Sequence, residues 1–148
     1  MGQGCDVVRP ALAFVALTLI VVGCGADPSG QAPTLSFGAM PFQTIVSSTG
    51  HLHVDVRWSP AVPVKGDNAA QLTFSDDLGN PVDGLSVTAV PWMPAHGHGT
   101  SIQPVTTTAA PAVIVAVPVY LFMSGEWQLR LTITGGTNDS AVASVEIP

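Results

Sequence analysis

Residues 51–59 read HLHVDVRWS, and this stretch decides the fold. Leu52, Val54, Val56 and Trp58 alternate with His51, His53, Asp55 and Arg57. An extended backbone therefore places four apolar side chains on one face and four polar ones on the other, whereas a helix would scatter both sets around its circumference. The same period of two recurs in AQLTFS (70–75), GLSVTAV (84–90) and EWQLRLTI (126–133), so each predicts a half-buried strand. Between them stand groups rich in Gly, Pro, Asn and Asp: SPAVPVKGDN (59–68), DDLGNP (76–81), MPAHGHG (93–99), SGE (124–126) and TGGTNDS (134–140). These are turn formers.

Two further segments complete the strand set. The run AVIVAVPVYLF (112–122) lacks clean alternation and predicts a strand buried on both faces, with Pro118 marking an edge or a bulge. ASVEIP (143–148) predicts a closing strand. No segment carries a sustained helical stripe and no internal repeat is visible. About seven short strands at this spacing predict an all-β chain, an immunoglobulin-like antiparallel β-sandwich.

The amino-terminal part has a different character. Residues 1–9 are polar with one basic side chain, Arg9, and residues 11–23 (ALAFVALTLIVVG) form an uncharged apolar run. Thirteen residues are too few to cross about 30 Å of hydrocarbon as a permanent helix, but they suit the apolar region of an export signal. The run ends in VVGC at 21–24, which resembles the lipobox of bacterial lipoproteins. The expected division is a signal peptide over 1–23, a lipidated Cys24 with a flexible tether over 24–34, and the β-sandwich over 35–148. The stretch GADPSGQAPT (25–34) is small, polar and proline-bearing, as a tether requires. With Cys5 removed and Cys24 capped by lipid, no disulfide forms within the mature chain. Gly25, not aspartate, follows the cysteine, so the expected place in a two-membrane cell is the outer membrane, facing the periplasm.

The charge balance narrows the partners. The mature part holds three basic side chains, Arg57, Lys65 and Arg130, against nine acidic ones. Nucleic acid demands a basic face and is excluded as a partner. The expected contacts are the membrane through the lipid, and another envelope protein.

The chain has only four histidines, in two His-x-His pairs: His51 with His53, and His96 with His98 in PWMPAHGHG (91–99). Residues two apart on extended backbone point the same way, so each pair can aim both imidazoles at one point. Imidazole binds copper and zinc, and the thioethers of Met93 and Met123 favour the soft cuprous ion. His96, His98, Met93 and Met123 form the candidate copper site, and His51 and His53 are secondary candidates. Burial of Met93 and Met123 as core side chains is the competing reading. Trp58 and Trp127, on the apolar phase of their strands, are expected in the core. The sequence predicts no enzyme: it lacks G-x-S-x-G, H-E-x-x-H and any phosphate-binding glycine loop opening a helix.

The order of lysine-glycine, strand, DDLGNPVDG, strand, MPAHGHG, strand and FMSGEW (122–127) resembles the FixH and YtkA-like families of exported bacterial proteins, most strongly over 62–133. The resemblance implies a small β-sandwich outside the cytoplasm and, on the FixH side, an association with copper supply to a haem–copper oxidase. FixH-type proteins are held by a transmembrane helix, where this chain has a lipobox. Together these features predict a cell-envelope lipoprotein that binds copper, Cu(I) in preference, or passes it to a copper-receiving protein. The alternative is a metal-free immunoglobulin-like interaction module anchored in the envelope.

Overall fold

A computed structural model describes residues 34–148. The signal segment, the VVGC box with Cys24, and the tether up to residue 33 lie outside the described residues. Nine strands follow in order: β1 (Gln43–Val46), β2 (His53–Ser59), β3 (Gly66–Ser75), β4 (Ser86–Met93), β5 (His98–Gly99), β6 (Val105–Ala110), β7 (Val113–Leu121), β8 (Gly125–Thr134) and β9 (Asp139–Ile147). They build a five-stranded sheet, β1-β2-β3-β7-β6, and a four-stranded sheet, β5-β4-β8-β9. Every pairing is antiparallel.

The alternation read from HLHVDVRWS is what the sheet uses. Val54, Val56 and Trp58 of β2 are buried with Leu72 and Phe74 of β3, while His53, Asp55 and Arg57 face outward. Across the interior they meet Val87 and Ala89 of β4, Trp127, Leu129, Leu131 and Ile133 of β8, and the small residues Ala141 and Ala143 of β9. Trp58 is 1% and Trp127 0% exposed, so both plug the core. Each fully buried large side chain contributes roughly 1.5–3 kcal/mol of transfer free energy. Polar bonds join the sheets at their margins: Ser48 N–H donates to Ser140 O at 2.7 Å, and Thr106 Oγ1 to Val87 O at 2.6 Å.

The strand count exceeds the expected seven because β1, β5 and β6 are edge elements with little apolar signal. β5 has only two residues, and β6 is the threonine-rich VTTTAA. The reading of residues 112–122 also changes. β7 is not buried on both faces; it alternates, with Ile114 and Ala116 inward and Val117 outward, then resumes one residue out of phase with Val119 and Leu121 inward. Nor is it an edge, since β3 and β6 flank it. Pro118 marks the phase shift. It lies one residue beyond Val117, where pairing to β6 ends, and opposite an irregularity in β3 between Asn68 and Ala70. A residue without an N–H fits where the ladder has already lapsed.

The registers define two ends. Ser75 of β3, the start of β4 at Ser86 and the end of β8 at Thr134 share one end with His53, which pairs with Ser75. Met93, Gly125 and Ile147 share the other. The eight residues of β4 run from one end to the other, a span of roughly 25 Å at ~3.3 Å per residue.

Candidate functional site

The motif MPAHGHG forms a hairpin turn at the end of β4. Met93 pairs with His98 and Trp92 with Gly99, so residues 94–97 make the loop. The amides of His96 and Gly97 both donate to Met93 O, at 3.2 and 3.0 Å. Gly97 has φ of 67°, a conformation that strains any residue with a Cβ. At Gly99 a Cβ would stand 2.5 Å from Pro91 O, so only glycine lets β5 approach β4 this closely. Both glycines of the motif are thus accounted for by the turn.

The turn pushes both imidazoles outward. His96 and His98 are exposed, and their ring centroids lie 5.6 Å apart with planes tilted by 48°. The common orientation expected from extended backbone holds for neither pair member alone: His98 belongs to β5, whereas His96 sits on the turn itself. The rings nevertheless converge. Two imidazoles on one ion have nitrogens about 2 Å from the metal, which brings their centroids within roughly 6 Å. The pair fits that limit. His98 Nδ1 lies 3.1 Å from Gly99 O. A carbonyl can only accept, so in a neutral ring that keeps this bond Nδ1 carries the proton and Nε2 has the lone pair for a ligand.

The second motif, FMSGEW, meets the first at this end. The His98 ring lies nearly parallel to Phe122, with centroids 6.0 Å apart, and Phe122 lies nearly parallel to Tyr120 at 6.2 Å. Phe122 also packs edge-on against Trp127 at 5.4 Å. Trp127 Nε1 donates to Met123 O at 2.9 Å, which fixes the backbone beside Phe122. A cavity of about 440 Å³ opens next to His98, lined by Gly99, Thr100, Ser101, Tyr120 and Phe122. The aromatic strip Tyr120–Phe122–His98 is the part of the site that the sequence reading missed. Its signal was the spacing of Tyr120 and Phe122, two apart on the outward phase before Met123.

The two methionines differ. Met93 is 1% exposed and belongs to the core, its methyl lying where a side chain on Gly125 would intrude at 2.8 Å. Met123 is half-buried and packs against the core from outside. Both histidines face solvent, and of the two sulfur side chains Met123 is the more accessible.

The other pair stands at the opposite end. His51 precedes β2 and His53 opens it. Asp77, in the turn leaving β3, engages both rings: Oδ2 lies 3.7 Å from His51 Nδ1, and Oδ1 lies 3.4 Å from His53 Nε2. The Asp77 turn is shaped by its neighbour Asp76, whose carboxylate accepts from Leu78 N, Asn80 N and Asn80 Nδ2. The Asn80 side chain above all holds the Asp76 carboxyl below its usual range. Among the described residues, no group of three or more His, Cys, Asp or Glu is placed to hold a metal ion. With the two pairs a strand's length apart, no single centre can draw on all four histidines.

A family model described as YtkA-like matches residues 49–132, which include the His51/His53 pair, both turns and the FMSGEW segment. No curated protein and no solved structure matched the chain.

Proposed function

The chain belongs to the YtkA-like family, and on that premise we propose that it is a lipid-anchored protein of the cell envelope that binds copper at the His96–His98 turn and passes it to a receiving protein. The observation that carries this reading is the meeting of MPAHGHG with FMSGEW. It sets two exposed imidazoles 5.6 Å apart, with His98 against Phe122 and next to the Met123 segment.

The chemistry of the donors favours Cu(I). With no third His, Cys, Asp or Glu in reach among the described residues, the site offers two imidazole nitrogens and thioether sulfur, a soft and neutral set. His98 is pre-oriented by its bond to Gly99 O and presents Nε2. Met123 supplies the sulfur from the adjoining segment. Met93 lies beneath as a core side chain and takes part only if the turn lifts it outward. Two ligands on an exposed turn leave coordination positions open. A receiving protein can add its own donors before these let go, so the ion moves by ligand exchange with no change of oxidation state.

The anchor reading rests on the apolar run of 11–23 meeting VVGC, and the envelope location follows from it. The protein acts as a carrier or module, not as an enzyme.

The test is a Cu(I) titration of protein made without a histidine tag, using a chromogenic chelator as competitor. Wild type should bind one equivalent, and His96→Ala with His98→Ala should remove most of the affinity. Imidazoles must be neutral to ligate, so affinity should also fall as the pH is lowered. Equal binding by wild type and the double variant, with both showing the same thermal unfolding, would leave the metal-free interaction module as the function.

A further inference from the structure

A further cavity lies away from the histidines, on the outward side of the five-stranded sheet. It holds about 670 Å³, within the range of small-molecule sites. Pro60 and Ala61, just past β2, form one wall, and Val117 and Pro118 of β7 form the floor. The other wall is the first described stretch of chain, with Leu35 and Phe37, held in place where Ser36 N–H donates to Ser59 Oγ at 3.1 Å. Leu35 and Val117 remain 39% and 37% exposed, so apolar surface lines an open groove.

We propose that this groove shelters one acyl chain of the protein's own amino-terminal lipid, an inference that rests on the lipoprotein reading of Cys24. Three observations select that occupant. The lining surface is mostly apolar, from Leu35, Phe37, Pro60, Ala61, Val117 and Pro118, which suits a hydrocarbon chain. Thr34, where the described chain begins, itself borders the groove, and residue 24 is ten positions upstream. A chain segment of that length reaches roughly 33–36 Å when extended, so a lipid on residue 24 can fold back into a groove at the tether's root. The third observation is charge. Asp67 stands at the groove, on a protein of formal net charge −6, and repels the carboxylate of a free fatty acid. An acyl chain joined through an ester or amide carries no such charge. The groove thus favours an esterified or amide-linked chain over a free acid.

Two measurements test this. In the otherwise full chain carrying Cys24→Ser, the fluorescent methyl ester of parinaric acid should bind at one equivalent, and the free acid at least fivefold more weakly. Adding Ala61→Trp, which fills the groove, should weaken the ester at least tenfold with thermal unfolding unchanged. If that variant fails to fold, Val117→Asp gives the same readout. Ester binding that survives both substitutions belongs to the apolar run 11–23 and overturns the proposal, as does no binding at all. In the lipidated protein in vesicles, a benzophenone side chain at Val62, beside the groove and 71% exposed, should crosslink to the acyl chain on residue 24. Crosslinks to bulk phospholipid alone overturn the choice of occupant. Mass spectrometry of the amino terminus separates the two readings. An unmodified Cys24 sinks the anchor and this occupant with it, whereas an acylated Cys24 with no intramolecular crosslink sinks this inference alone.

Discussion

Two histidine pairs with the same one-residue gap have opposite surroundings in this molecule. At the end of β4, His96 and His98 stand on a glycine turn, with no carboxylate grouped with them among the described residues, against aromatic rings and next to a methionine segment. At the other end, His51 and His53 share the carboxylate of Asp77. The Asp77 oxygens lie against one nitrogen of each ring, His51 Nδ1 and His53 Nε2, and compete with a metal ion for those positions. A neutral aromatic and thioether neighbourhood leaves the lone pair free for a soft ion. The spacing within a pair therefore says little by itself; the neighbours brought in by folding decide what the pair can do.

The sharpest way to break the comparison is to remove what holds the first end in shape. Trp127 is fully buried, packs edge-on against Phe122 and bonds Met123 O through its indole N–H. Its truncation to alanine should cost about 3–5 kcal/mol in denaturant unfolding. A loss under about 1 kcal/mol would mean that the end is held by the turn alone, and that the indole does not position the methionine segment. Copper binding measured on the same variant at low temperature should weaken even where the protein is folded.

Next in size is the metal itself. The double change His96→Ala with His98→Ala should weaken Cu(I) by about 100-fold or more, equivalent to about 2.7 kcal/mol. The matching change at His51 and His53 should move it less than about threefold, within the scatter of ordinary surface substitutions. Similar losses from both pairs in a chelator competition would erase the distinction drawn here.

The second end has its own anchor in Asp139, 8% exposed, which receives Ser48 Oγ at 2.8 Å, Thr49 N at 3.1 Å and Ser140 N at 2.8 Å. Burial by itself would raise the pKa of this carboxyl. The hydroxyls of Ser47, Thr49 and Ser48, with the Ser140 amide, outweigh it and hold the group far below its usual value. Because the folded pKa is depressed, the stabilisation is fully present above the unfolded value of ~3.9 and is lost as pH falls below it toward the folded value. Asp139→Ala should cost about 1–2 kcal/mol at neutral pH and flatten the acid side of the stability profile. An unchanged acid profile would show that the carboxylate contributes nothing there.

The smallest effect is expected at Asp77. It is 56% exposed, and its partners are 81% and 38% exposed, so Asp77→Asn should change stability by no more than about 0.5 kcal/mol. Its informative readout is copper binding by the His51/His53 pair in a His96→Ala, His98→Ala background. A gain there on removing the carboxylate would show that Asp77 is what keeps this pair from the metal.

How much of this was legible depends on how local each feature is. The strand pattern of β2, β3, β4 and β8 was legible because burial on one face of a sheet imposes a period of two that no tertiary detail disturbs. The edge strands β5 and β6 were not, since β5 has two residues and β6 is mostly threonine, and neither needs an apolar face. β7 misled because its outward face is also aliphatic, so Val113, Val115 and Val117 masked the alternation of Ile114 and Ala116. At the candidate site the glycines of HGHG were readable as turn residues, and the four ligand candidates were readable by type. Burial was not: Met93 and Met123 look alike in sequence, yet one is a core plug and the other lies half outside.

The sequence by itself determined the all-β class, the turn at MPAHGHG and the acidic balance, because each follows from side-chain chemistry within a few residues along the chain. Only the tertiary structure decided that the two histidine pairs stand a strand's length apart. It also placed Asp77 on one pair and Phe122 on the other, and left a groove beside the segment entering the domain. These depend on strand order and register, which bring together residues such as His98 and Phe122, or Leu35 and Val117, from positions that no local pattern relates. A register is settled by the fit of the whole buried face, and a shift of one residue would exchange the two faces of a strand and everything mounted on them.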